Sequence, residues 1–443
     1  PRYLKNIYAC LLFYQLSKVK WRKEININMI HQFITLFLRR THFWRVVGFK
    51  ELAELYVSRM LRVMAMQMMA GFTTIYLYQL GYSLLYIFLA WFIYFVARAL
   101  CIPLATLLIA RYGPKHSTLI SNLALIVATL GMIMVPEYKI WGFVIYIIFG
   151  SFSRSLYDIS YLVDFSKIKH IDNAGKEIGL MQVIERMTTV IAPLLGGIVA
   201  LFFGPRAMLV FGCILMALAA MPLFFSAEPV RTKQRITLRH FNIKATWRSF
   251  IASIGIGVDN NITGMLWAVF VAIMILDGKN QAVFAQVGAL GAFSAIVSIV
   301  SAYWFGHIID NRHGKKLLRF GAIGNMLLHM IRPFVTSPAG VVTVNTMNEA
   351  ATTAYTLTAT RSVFDLADGL PGYRIVYMSL LSFAMVLGDI LVTLFVCLAI
   401  SVLGDKPGIQ FTMWVWAPAM LVILWHGRAL YRRGVFTRFI HRV

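Results

Sequence analysis

Residues 305–316 read FGHIIDNRHGKK. About thirty residues before them are almost all Ala, Val, Ile, Ser, Gly or aromatic. An acid, an Arg, a His, a Gly and two Lys then crowd into a few positions. A fainter copy, TLLIARYGPK at 106–115, sits about two hundred residues earlier. A knot of charge between long apolar runs is the pattern of a short turn joining two membrane-crossing helices. The rest of the chain supports that reading. Of 443 residues, 59% are hydrophobic and 14% charged, where a soluble domain carries about 25% charge. Mean hydropathy is +0.72. The apolar runs are about twenty residues long, the length a helix needs to cross the hydrocarbon layer. They do not alternate, which excludes a barrel of strands. The basic, mixed N-terminus does not read as a cleavable signal.

Twelve spans can be marked: 57–79, 82–110, 116–135, 140–162, 179–203 and 206–226, then 248–276, 281–305, 317–336, 341–363, 375–403 and 410–427. The long connection at 227–247, AEPVRTKQRITLRHFNIKATW, is polar and basic and separates six spans from six. The expected organisation is a basic interfacial segment at 1–50, a bundle at 51–226, the linker 227–247, a bundle at 248–430 and a basic tail at 431–443. With an even span count both termini share a side. The great majority of Lys and Arg fall on that side, in the termini, 111–115, 163–178, 227–247, 306–316 and 364–374. The positive-inside rule makes it cytoplasmic. Retained bases beside anionic lipid heads account for the net charge of +24, with no nucleic-acid partner required.

The opening stretch is therefore the turn between spans eight and nine, and 106–115 the turn between spans two and three. Each holds the same place in its own half, a repeat signal worth more than either motif alone. In this turn the chain resembles the major facilitator superfamily, whose signature is Gly, three residues, Asp, a base, any residue, Gly and two bases. The second copy keeps Gly306, Asp310, Gly314, Lys315 and Lys316, with Asn311 and Arg312 where one base is usual. The first keeps Arg111, Gly113 and Lys115 but has Thr106 for the Gly and Ala110 for the Asp. Elementary physics suggests roles: Gly for a tight reversal at positive φ, an acid at the start of the next helix, and bases toward lipid heads. The resemblance implies a brace between the halves, with Ala110 as a departure in the first half. GFTTIYLYQLGYS at 71–83 resembles the end of the family's first helix. APLLGGIVALFFG at 192–204 resembles its fifth, and VDFSKIKHIDNAGKEI at 163–178 the cytoplasmic loop before that helix. The implied fold is all-α, with about twelve transmembrane helices in two six-helix halves.

Charges inside spans are costly and so carry functional hypotheses. Arg98 lies mid-span in two, Asp259 in seven beside Asn260 and Asn261, Glu349 in ten near Asn345 and Asn348, and Asp389 in eleven. Arg154 and Asp158 share span four at a spacing that allows an intrahelical pair. This pair, like Glu185 and Arg186, reads as lying toward the cytoplasmic face, where it would brace or gate. By resemblance, helices one, four, seven and ten line a central cavity, so Gln67, Arg154, Asp158, Asp259, Asn260, Asn345 and Glu349 become substrate or coupling candidates. Arg98 and Asp389 join them with a more supporting role. Asp259 or Glu349 is the expected proton carrier, and a static pair with Arg98 or Arg154 is the rival.

Other features read more plainly. Cys10, Cys101, Cys213 and Cys397 show neither metal spacing nor a disulfide pattern. His329 reads as a packed, hydrogen-bonded residue. Trp141, Trp304 and Trp414 suit an interfacial belt, and Trp267 reads as packing rather than as a sugar platform. Asp365 and Asp368 read as a solvated helix end rather than an enzyme's acid pair. No GxxxxGK[ST] run suggests ATP drive, and no cofactor or metal is expected. The function expected is secondary transport of a small solute by alternating access, proton-coupled, with efflux or antiport favoured, by a monomer in the cytoplasmic membrane. A lipid flippase or a non-transporting scaffold on the same fold is the alternative, and a polytopic membrane enzyme is a more distant one.

Overall fold

The computed structural model describes residues 49–69, 72–168, 174–224, 236, 239, 241, 243–310, 313–368, 370 and 372–428. Among these residues there is no strand. The chain forms two compact units, Pro1–Ala53 and Glu54–Val443. Little of the first is described, so the expected interfacial helix at 1–50 lies almost wholly outside the described residues.

The second unit holds twelve spans. Span one is Phe49–Met69 followed by Phe72–Gln79, with its first residues in the other unit; spans two to six are Leu84–Tyr112, Pro114–Tyr138, Ile140–Ile168, Ala174–Phe203 and Pro205–Phe224. Span seven starts as Ile243–Asn261 and continues through two π-helical stretches, Ile262–Leu266 and Phe270–Ile275. Then come Ala282–Asp310, Gly314–Ile331, Pro338–Asp368 and Arg374–Leu403. The twelfth begins as Asp405–Trp416 and ends as a tighter 3-10 helix, Ala417–Arg428. Among the described residues, eight helices are long and apolar enough to cross a membrane on those measures alone. Spans one, five, nine and ten fall outside that set.

Local chemistry sets the turns. Ser83 caps span two by accepting from the Tyr86 amide at 3.4 Å. Gly113, at φ +87°, both ends span two and opens span three, with Pro114 in the first helical position. Gly404, at φ +85°, does the same between the last two spans.

Several expectations need correction. Helix runs further into the loops than hydropathy indicated, because polar end turns keep their hydrogen bonds outside the lipid. The presumed loop 163–178 is helical up to Ile168 and again from Ala174, and helix begins at Asp405 inside the presumed loop 404–409. Asp310 is the last residue of span eight, not the start of span nine. An acid there meets the negative end of a helix dipole, so the stabilising role assigned to it does not hold. The need for positive φ is met by Gly113 alone among the signature glycines. Gly306 is helical, with open space around the position of a Cβ. Arg312 lies outside the described residues. Arg111, Lys315 and Lys316 are exposed, as loop bases should be, but Lys115 is buried.

Ala110 has a structural reason. It is 3% exposed, inside an apolar cluster with Ala105 and Ile109 of span two, Ile159 of span four, Ala367 of span ten and Leu381 of span eleven. An Asp in its place would bring a carboxylate into this apolar contact at a desolvation cost. This cluster joins the halves at the end that carries the Gly113 turn, called here the basic face. The Thr106 hydroxyl donates to Ser379 Oγ at 2.8 Å in the same region. At the opposite end Gln79 Nε2 donates to the Gly278 carbonyl at 3.1 Å, and Phe72 meets Phe284 edge-on at 5.7 Å. Spans five and eight touch through glycine: a Cβ on Gly197 would lie 2.5 Å from the Phe284 carbonyl oxygen.

Candidate functional site

Between the halves lie two cavities, of about 710 Å³ and 580 Å³. Both are lined by Gly264 and Ala268 of span seven, so this helix forms the wall they share. Asn260 and Gly264, one turn apart, are its exposed positions there. Gly264 lies within the first π-helical stretch and the second begins just beyond Ala268, an irregularity common at functional sites.

The larger cavity is lined by Gln67, Asn345, Asn348, Glu349, Thr263 and Arg332, among others. The expectation for Gln67, Asn345 and Glu349 was one shared cavity, and the structure brings all three together. Trp267 is 3% exposed and donates through Nε1 to Asn345 Oδ1 at 2.7 Å, which positions that amide. The Arg332 guanidinium sits 5.0 Å from the Trp267 ring centroid.

Asp259 is placed differently. It is 1% exposed and lines neither cavity. Its Oδ1 is 2.6 Å from His329 Nε2 and accepts from Asn325 Nδ2 at 2.9 Å, and its Oδ2 accepts from the Tyr355 hydroxyl. His329 Nδ1 is in turn 2.8 Å from Arg332 Nη1, which donates to Thr263 at 3.0 Å. A polar chain thus runs from the cavity wall at Arg332, through His329, to Asp259 inside the second half. The static partners considered for Asp259, Arg98 and Arg154, are engaged elsewhere. His329 is packed and hydrogen-bonded as expected, though its partner was not foreseen.

The smaller cavity holds the other charges. Arg98 bonds Asp158 at 2.8 Å and Asp389 at 3.4 Å, and Arg154 Nε bonds Asp158 at 2.9 Å. One guanidinium therefore ties an acid of its own half to an acid of the other half. Arg154 and Asp158 do not sit near the basic face as expected. They lie at the middle of Ile140–Ile168, level with mid-helix Arg98 and Asp389. Asp389 had been given a supporting place, yet it lines this cavity beside Asn260 and Asn261. Asn261 Nδ2 donates to Thr393 Oγ1 at 3.0 Å and so steadies the turn that carries Asp389. Glu185, Arg186 and Asp310 have no described side chains.

Sequence reasoning missed Arg332, Asn325 and Tyr355. Arg332 was open to discovery: it is a charge inside a marked span, three residues from His329, and the rule that found the other charges applies to it. Asn325 and Tyr355 gave no comparable signal.

A profile described as Major Facilitator Superfamily matches residues 55–363. No curated protein matches the sequence. Solved structures do. A POT family transporter in complex with 5-aminolevulinic acid is 12% identical at TM-score 0.64, covering 84% of this chain and 95% of its own. The D-xylose-proton symporter is 13% identical at TM-score 0.63, covering 85% and 96%. The nucleoside transporter NupG is 14% identical at TM-score 0.59, covering 86% and 99%. At such identities these structures speak for the fold, and the profile match over most of the chain speaks for the family. With paired turns, two six-helix sets and cavities between them, the chain belongs to the major facilitator superfamily.

Proposed function

We propose that the protein is a proton-coupled secondary transporter that moves a small solute across the cytoplasmic membrane by alternating access, as an exchanger working outward. The observation that carries this reading is the pair of cavities between the halves, lined by ionisable side chains at mid-helix depth. Intramembrane ionisable residues mark solute and proton paths. Glycine contacts such as Gly197 against Phe284 let helices of opposite halves approach and slide. Structurally similar proteins carry a 5-aminolevulinic acid complex, a nucleoside transporter's name and a proton symporter's name, which fits small polar solutes.

Glu349 is the proton carrier in this reading. It lines the larger cavity among Asn345, Asn348 and Thr360. A carboxylate there can exchange protons with cavity water while amides hold the solute. A flippase or a non-transporting scaffold would be favoured by a lateral opening between the halves or by a sealed cavity without polar lining, and this cavity carries Glu349, Asn345, Asn348 and Gln67 in its lining. The test is reconstitution in vesicles with an internal pH dye and an imposed proton gradient. Solute-dependent proton movement across a panel of small polar metabolites supports the proposal. Inert vesicles that still bind solutes would favour a non-transporting scaffold.

A further inference from the structure

We propose that the smaller cavity is a binding site for an aromatic carboxylate, with Arg154 as the residue that takes the carboxylate. This rests on the transport reading for its role, but the site stands on its own geometry.

The head of the site is the free edge of Arg154. The guanidinium spends Nε on Asp158 at 2.9 Å, and its terminal nitrogens bond nothing among the described residues. Its side chain is 43% exposed, against 23% for Asp158, 11% for Arg98 and 9% for Asp389. Arg154 is among the residues that line the cavity. A planar fork held at one nitrogen and open at the other two is preorganised for a bidentate carboxylate. The charge balance points the same way. Asp158 already serves two arginines and Asp389 serves Arg98, so a cation entering the cavity finds both acids engaged, whereas an anion finds unused donors. The larger cavity lacks such an edge: Arg332 is 0% exposed, and its Nη1 is shared between Thr263 and His329.

The body of the site is aromatic. Trp91, Tyr94, Phe95 and Tyr146 line the cavity. Tyr94 stacks on Tyr146 at 5.8 Å, and Trp91 meets both, at 5.3 Å and 6.2 Å. Trp91 Nε1 donates to Thr74 at 3.2 Å, which fixes the indole. Five methionines, among them Met66, Met132 and Met385, complete the lining. Thioethers adapt to flat rings and favour aromatic contact. At about 580 Å³ the space suits a one- or two-ring acid.

The experiment measures binding of 2-naphthoate and of its neutral isostere 2-naphthamide to purified protein by calorimetry. The expected result is about tenfold or greater preference for the acid, the scale set by one charge-assisted hydrogen bond. Arg154→Gln brings the ratio near one while the amide still binds, which also shows that the variant is folded. Arg154→Lys, which keeps the charge without the fork, recovers part of the preference. Trp91→Leu weakens acid and amide alike. Equal binding of acid and amide by the wild type, or a preference that survives in Arg154→Gln, overturns the site whatever the vesicles do. Absent flux in vesicles with the preference intact overturns the transport reading and leaves the site standing.

Discussion

At the residue scale, the two acids first paired as proton carriers separate by environment. Asp259 accepts from His329, Asn325 and Tyr355 and is enclosed, while Glu349 faces a cavity. Asp259→Asn is therefore expected to act on stability. Breaking a buried charge network of this kind costs about 3 kcal/mol, read as a lowered melting temperature in detergent. Glu349→Gln is expected to abolish solute-driven proton flux, with solute counterflow retained. Normal proton flux in that variant moves the carrier to Asp389 or Asp158. The cost of burying charge made these acids legible in the sequence as candidates. It could not tell an enclosed acid from one that lines a cavity. That difference lies in Asn325 and Tyr355, whose residue types occur throughout such a protein and whose proximity to Asp259 arises only from folding.

At the element scale, span seven combines contact and access. A Cβ on Gly257 would collide with the Met385 carbonyl, and one on Gly388 with that of Ile254, so spans seven and eleven touch backbone to backbone. Gly264, two turns further along, has nothing within 4 Å of its Cβ position. Gly257→Ala should destabilise by about 1–3 kcal/mol through overpacking, measured by thermal melting. Gly264→Leu should keep the fold and slow solute exchange, because the new side chain projects where the two cavities share a wall. Equal melting of the two variants would contradict this assignment. Hydropathy located the span, since twenty apolar residues need no tertiary information to be recognised. It gave no sign of the π-helical turns or of which glycine is packed, because both depend on neighbours distant in sequence. Similarly, the turn at Gly113 was legible from Gly followed by Pro, while the helical state of Gly306 was not.

At the scale of the whole molecule, the two-fold repeat first seen in the paired turns extends into the core. In the first half, Arg62 of span one donates to Asn122 of span three and lies 3.7 Å from the Tyr157 ring of span four. In the second half, Asp259 of span seven accepts from Asn325 of span nine and Tyr355 of span ten. Corresponding helices thus carry a charge, an amide and a phenol, with the sign of the charge reversed. Orientation follows from charge bias: a reporter inserted within 227–247 should register as cytoplasmic and one after Gly404 as external, and agreement between them would refute the span count in the second half. The halves themselves meet at both ends, through Thr106 and Ser379 on the basic face and through Gln79 and Gly278 opposite. Alternating access requires that these contacts not persist together through the cycle. A Thr106→Cys, Ser379→Cys pair, in a background with Cys10, Cys101, Cys213 and Cys397 replaced, should cross-link readily on oxidation, since the two hydroxyl oxygens are 2.8 Å apart. Cross-linking should stop solute flux and reduction should restore it, while either single variant transports normally. Undiminished flux through fully cross-linked protein would mean that the basic face need not open, and rocking of the halves would have to be abandoned as the mechanism.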